Sequence, residues 1–219
     1  MADAVRRKHE GYSFMARDTQ SIVKMSRREG YALHPKAHKA LVKRTTSPGG
    51  EQGRGRRSKP SQYSIQLREK QKVKRLYGLL EKQFSNLMKE ASKARGNSGA
   101  MLLHYLELRM DNTVYRSGFA PSRRAARQLV THGHFLLNGR RVDIPSIRMK
   151  QGDTVELRDK SKKSEYFKKI DDVSPAPTET PSWMKVDRKK FQITVSGTPE
   201  RDDAEPDINE QLIVEYYSR

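Results

Sequence analysis

The residues with the clearest chemical potential lie in a short stretch of the second half of the chain. Arg123, Arg124 and Arg127 follow Ser122, with Gln128, Thr131 and His132 close behind. At about 100° per residue of helix, Arg123, Arg124, Arg127 and Thr131 share roughly one quadrant. Ala125, Ala126, Leu129 and Val130 take the other side. A few residues on, Asn138-Gly139-Arg140-Arg141 offers two more guanidinium groups beside an amide. Guanidinium is a planar fork of donors that binds phosphate oxygens bidentately and stacks on bases. A rack of such groups, with a second set on a tight turn, suits RNA, which is read mostly by shape, phosphate and 2′-hydroxyl. The plainer alternative is a solvated helix face beside an ordinary hairpin.

Further cations are distributed in the same sense. Arg68, Lys70, Lys72, Lys74 and Arg75 form a dense run, Arg116 stands alone, and Arg27 with Arg28 and Arg54 with Arg56 and Arg57 lie nearer the N-terminus. The chain has 45 Lys plus Arg against 26 Asp plus Glu, a net charge of +19 over 219 residues. Such a charge repels itself unless a polyanion neutralises it, which points to nucleic acid. Residues 171–219 reverse the sign, with carboxylates in excess. There is no cysteine, so disulfides and thiolate metal sites are excluded. His34 and His38 have helical spacing, but Pro35 intervenes and no third ligand is evident, so no metal and no cofactor are expected. No Ser/His/Asp set, Walker loop or carboxylate pair has supporting context, so no enzymatic activity is expected. No apolar run approaches the roughly 20 residues of a membrane helix, and no secretory signal is seen. The expected location is the cytoplasm, or an organelle interior.

These groups need elements to hold them. Residues 1–62 read as an irregular basic arm, with Gly and Pro clustered between Thr45 and Arg57. From Ser64, Val73, Leu76, Leu80, Phe84, Leu87 and Ala91 recur at helical spacing, divided at Gly78. Leu103, Leu106, Met110 and Val114 predict one more helix ending near Gly118. Ser122 is placed to cap the arginine helix, which Gly133 stops. Asn138-Gly139 between short apolar runs predicts a hairpin, and Thr154 to Arg158 a further strand. Residues 160–174 suggest a short helix, Pro175, Pro177 and Pro181 a linker, and Trp183–Val186 and Phe191–Val195 two strands. Ile208, Leu212 and Tyr216 space a closing helix.

The run Ser122-Arg123-Arg124-Ala125-Ala126-Arg127-Gln128-Leu129-Val130, followed by His132-Gly133-His134 and Asn138-Gly139-Arg140-Arg141-Val142, resembles the S-four RNA-binding domain. Other motifs extend the likeness to the bacterial-type small-subunit ribosomal protein S-four family. They are Ser26-Arg27-Arg28-Glu29-Gly30, the stretch Gln66 to Val73, Asp111-Asn112-Thr113-Val114-Tyr115-Arg116, and Asp207 to Glu215. The resemblance implies an α+β fold: a helical first domain with an extended basic arm, and a small α/β RNA-binding domain inserted before the C-terminal helix. The expected division is an arm over 1–62, a helical domain over 63–109 completed by 200–219, and the RNA-binding domain over 110–199. The resemblance further implies a structural protein that binds small-subunit rRNA of the 16S type directly and early in assembly, nucleating the body. It implies a place by the mRNA entry channel beside ribosomal protein S-five and other small-subunit proteins, with an effect on translational accuracy. No membrane partner is implied.

All the cations named above, with Ser122, Gln128, His132 and Asn138, are the expected rRNA contacts. Arg123 and Arg127 together are expected to carry about two contacts' worth of salt dependence. The chain departs from the family in lacking the cysteines with which many members hold zinc in the arm. The family's Pro-Gly-x-His-Gly signature appears as Pro48-Gly49-Gly50-Glu51-Gln52-Gly53, without its histidine. Residues 1–14 precede Met15-Ala16-Arg17, which resembles the family's usual start. Two other classes use the same small module: an RNA-modifying enzyme, which needs a separate catalytic domain with a buried Asp, and a free-standing regulator of ribosomes.

Overall fold

A computed structural model describes residues 20–43 and 59–218. Expectations for Arg54, Arg56, Arg57 and the glycine-rich signature fall outside these residues. Within them the order is α1 (Ile22–Glu29), a 3-10 turn (Pro35–Ala37), α2 (His38–Lys43), α3 (Gln62–Leu76), α4 (Glu81–Lys93), α5 (Ser98–Glu107), α6 (Met110–Arg116) and α7 (Arg123–Thr131). Then come β1 (Phe135–Leu137), β2 (Arg140–Val142), β3 (Thr154–Leu157), three one-turn helices α8 (Asp159–Lys162), α9 (Glu165–Lys168) and α10 (Ile170–Val173), β4 (Met184–Asp187), β5 (Gln192–Val195) and α11 (Glu210–Tyr217). The chain is α+β, a helical first part followed by a small antiparallel sheet.

Two apolar cores organise these elements. In the first, α4 turns Phe84, Met88 and Ala91 inward at i, i+4 and i+7. They meet Val73 and Leu76 of α3, Leu102, Leu103 and Leu106 of α5, and Ile213 of α11. Burying Phe84 fully contributes about 1.5–3 kcal/mol relative to leaving it in water. In the second, the sheet runs β2-β1-β3-β5-β4, every pair antiparallel. Phe135 stands opposite Leu157 and Val155 opposite Ile193, so these side chains pave one face. Ala126 and Val130 of α7 complete that core. The cores divide between Leu106 and Leu108, and again between Val195 and Ala204.

Three expectations are corrected. Residues 22–43 are not irregular: α1, the turn and α2 fold there, and Met25 and Leu33 enter the first core. The helix expected from Leu103 to Val114 is two helices. The chain breaks at Leu108-Arg109, where Arg109 bridges to Arg148 and Met149 N–H donates to the Leu108 carbonyl at 2.8 Å. The region 160–174 holds three short turns, because Ser161, Phe167 and Ile170 are buried at separate points. Elsewhere the hairpin forms on Asn138 and Gly139, both at positive φ, 49° and 78°.

Candidate nucleic-acid interface

The arginine helix is built as its residue types dictate. Ser122 has extended backbone, and its hydroxyl accepts from Ala125 N–H at 3.3 Å. Ser122 is therefore a buried cap, and its role is in the fold. At the other end Gly133 takes φ 68° and its carbonyl accepts from Arg158 at 2.9 Å, placing a cation at the negative end of the helix.

The cations of α7 do not share one fate. Arg123 turns inward, its side chain only 11% exposed. It donates to Asn112 at 2.9 Å and to Glu205 at 2.9 Å. Its guanidinium lies between the rings of Tyr77 and Tyr115, at 4.8 and 4.6 Å from their centroids. Arg116 is similarly engaged, with Glu107 taking both ends of its fork at 3.0 and 2.9 Å. Glu107, 1% exposed, also accepts from Asn112 at 2.8 Å and from Tyr77 at 2.6 Å. Arg109 binds Asp111 bidentately and Arg127 reaches the same carboxylate at 3.4 Å. Tyr77 belongs to the first core, Arg116 and Arg123 flank the second, and Glu205 sits beside Ala204 on the returning chain. The motif Asp111 to Arg116 thus builds the polar seam between the two cores. Burial works to raise the Glu107 carboxyl, but Arg116, Arg123 and Tyr77 outweigh it and hold it below the ordinary range. Burial and Glu107 together push the Tyr77 hydroxyl well above its usual value.

The basic run on α3 is engaged in the same way. Lys70, 3% exposed, donates to Glu81 at 2.6 Å and lies over the Tyr216 ring at 4.6 Å. Lys74 reaches the same Glu81 at 2.9 Å, and Lys72 pairs with Glu69 at 2.8 Å while donating to the Asp207 carbonyl. Arg68 and Arg75 converge on Glu29 of α1. These five side chains were expected to form a phosphate-facing row. In this structure they tie α3 to its neighbours, because carboxylates from α1, α3 and α4 stand opposite them.

What remains outward is a narrower strip. Arg124 and Gln128 project from the exposed side of α7, with His132 at its end. Burial, then Lys36 and Arg124, hold the His34 imidazole below its ordinary range. The Arg141 guanidinium lies against Gly133, so close that a Cβ there would meet its Nε at 2.6 Å. Arg140 and Arg141 are exposed on the hairpin. Arg28 is exposed on α1, and Arg27 beside it is half-buried. Asn138 is occupied: its amide donates to Asp153 at 2.8 Å and its carbonyl accepts from Thr154 N–H at 2.9 Å. His34 caps the 3-10 turn by accepting from Lys36 N–H at 3.1 Å, and no cluster of three potential metal ligands occurs among the described residues. Among them, no helix is long and apolar enough to cross a membrane.

Sequence reasoning missed Arg158 and Lys36. Both stand outside the recognisable motifs; the fold brings Arg158 to the C-terminal end of α7 and Lys36 beside His34.

Comparison with known proteins supplies the context for this strip. A family model described as the ribosomal protein S4/S9 N-terminal domain matches residues 17–107, and the S4 domain model matches residues 108–155. The two matches meet where the two cores divide. Proteins described as small ribosomal subunit protein uS4 from Chlorobium phaeovibrioides and Chlorobaculum tepidum are 50% and 49% identical over 206 residues. A uS4 protein from Syntrophomonas wolfei is 47% identical over 210 residues. Each comparison covers 94% of this chain and 100% of the relative. The chain belongs to the uS4 ribosomal protein family. Its relatives are ribosomal proteins rather than enzymes, and in this uS4 family member the sheet of the second core extends past the S4 match through β4 and β5.

Proposed function

We propose that this chain binds folded 16S-type rRNA as a structural constituent of the small ribosomal subunit in the cytoplasm. The contact runs along the strip Arg124, Gln128, His132, Arg140 and Arg141, and exposed Lys36 adds charge from the 3-10 turn. The observation that carries this reading is that Arg124, Arg140 and Arg141 are exposed and form no ion pair among the described residues, whereas the cations turned inward are almost all paired. Guanidinium groups left free on a rigid helix and hairpin are already arranged for phosphate, so little ordering cost attends binding. Arg28 extends the same surface onto α1, with Arg27 beside it, and Arg54, Arg56 and Arg57 add charge from the segment between α2 and α3. On this reading residues 63–109 with 200–219 form the helical domain and 110–199 the RNA-binding domain.

Family membership supports the finer roles. They are early, direct binding that nucleates the body of the subunit, and a position at the mRNA entry region beside ribosomal protein S-five, with an effect on accuracy. The test is filter binding of the full chain to an rRNA fragment from the 5′ domain across a range of salt. Replacing Arg124, Arg140 and Arg141 together with alanine is expected to flatten the logarithmic salt slope by roughly two to three units. An unchanged slope would place the contact elsewhere.

A further inference from the structure

The strip leaves one part of the molecule unused. Although the chain carries a net charge of +19, its last part is acidic, and several of those carboxylates surround a groove of about 640 Å³ beside the seam. Pro175, Pro177 and Pro181 line one wall and Pro206 the other. The first wall is fixed to the second core. Ser174 donates to the Gly118 carbonyl at 2.8 Å, and Arg188 donates to that carbonyl at 3.2 Å while pairing with Asp171 at 2.9 Å. Pro177 lies so close over Gly118 that a Cβ there would stand 2.4 Å from its ring. The second wall is fixed by Ala204 in the first core and by Glu205 on Arg123. The groove is therefore preformed.

Glu179 and Asp202 face into it from the two walls. Both are exposed, and neither pairs with a cation among the described residues. Proline has no N–H, and the Arg116 guanidinium that also lines the groove is taken by Glu107, so these walls offer chiefly carbonyl oxygens, carboxylates and apolar ring faces. Carbonyls and carboxylates are all acceptors, which match ammonium, guanidinium and peptide N–H donors and repel phosphate. The ring faces suit the methylene stems of lysine and arginine. The geometry points to this groove as the docking site for an extended, arginine- and lysine-bearing segment of another protein. The chain then has two faces of opposite preference: the guanidinium strip for polyanion and the proline groove for polycation.

The test titrates the full chain with a short fluorescein-labelled peptide of alternating arginine and serine, read by anisotropy. Glu179→Lys combined with Asp202→Lys changes only exposed side chains, and a thermal melt checks that the fold is kept. The peptide is expected to bind the parent chain and to bind the double variant at least about tenfold more weakly. Carbodiimide crosslinking of a lysine version of the peptide is expected to reach Glu179 or Asp202. Equal affinity for parent and variant, or crosslinks confined to other carboxylates, would each overturn the assignment. The same double variant is measured against the rRNA fragment, where affinity is expected to hold or rise. A parent chain that binds the peptide but not rRNA would remove the proposed function and leave the groove standing.

Discussion

Arg123→Met separates architecture from RNA contact most sharply. The substitution removes two charge-assisted hydrogen bonds, to Asn112 and Glu205, and two ring contacts, on Tyr77 and Tyr115. Asn112 is buried, so its oxygen loses the Arg123 donor without gaining water. Glu205 keeps Arg116 at 3.7 Å, which limits the damage. Breaking a buried pair costs about 3–5 kcal/mol, and methionine returns part of that by filling the space between the two rings. A net loss of about 3 kcal/mol is therefore expected, a large share of the roughly 5–15 kcal/mol that holds a domain folded. Urea unfolding followed by Trp183, the sole tryptophan and 2% exposed in the second core, reads the change. The midpoint is expected to fall by about 1–2 M. The salt slope of rRNA binding, measured under folded conditions, is expected to stay where it was. A slope reduced by about one unit with an unmoved midpoint would mean that Arg123 faces phosphate, and the seam described above would be wrong.

Three other outcomes are expected. Arg124→Ala is the mirror image: stability changes by less than about 0.5 kcal/mol, and the salt slope flattens by about one unit in the same filter assay. Gly133→Ala forces a side chain into positive φ and into Arg141, so it is expected to destabilise by about 1–2 kcal/mol and also to weaken rRNA binding, because Arg141 must move. In acid, Glu107 supplies stability that is present above its unfolded value near 4.5 and is lost as pH falls through its lower folded value. Glu107→Gln is therefore expected to flatten the fall of stability below about pH 4.5 in acid titrations followed by circular dichroism, while lowering stability at neutral pH.

Much of the fold was legible because its signals are local. Ser122 as cap, Gly133 as stop and Asn138-Gly139 as turn each act within a few residues, and each stands where the sequence places it. The helix break at Leu108-Arg109 was not legible, since the bridge to Arg148 that ends α5 comes from far along the chain. The site was half legible. On a helical wheel Arg123 lies only about 20° from Val130, at the border of the apolar face, and Arg124 and Thr131 point most directly away from it. Grouping Arg123 with Arg124 by charge hid that border. Lys70 shows the same effect on α3: Gln66, Lys70, Val73 and Tyr77 form one stripe at helical spacing, and all are buried. Charge suggests an outward side chain only until a carboxylate on another element stands opposite, and Glu29, Glu81 and Glu205 each come from a different element.

The return of α11 to the first core bears on how the molecule is made. Ala204, Ile208 and Ile213 complete a core whose other buried members all lie at or before Leu106. The sheet and α7, by contrast, are contiguous in the chain and can close on themselves while translation continues. The helical half must wait, its apolar faces without their last partner, until the final residues leave the synthesising ribosome. The order in which the two cores acquire their last buried residue is then the reverse of the order in which their first residues are made.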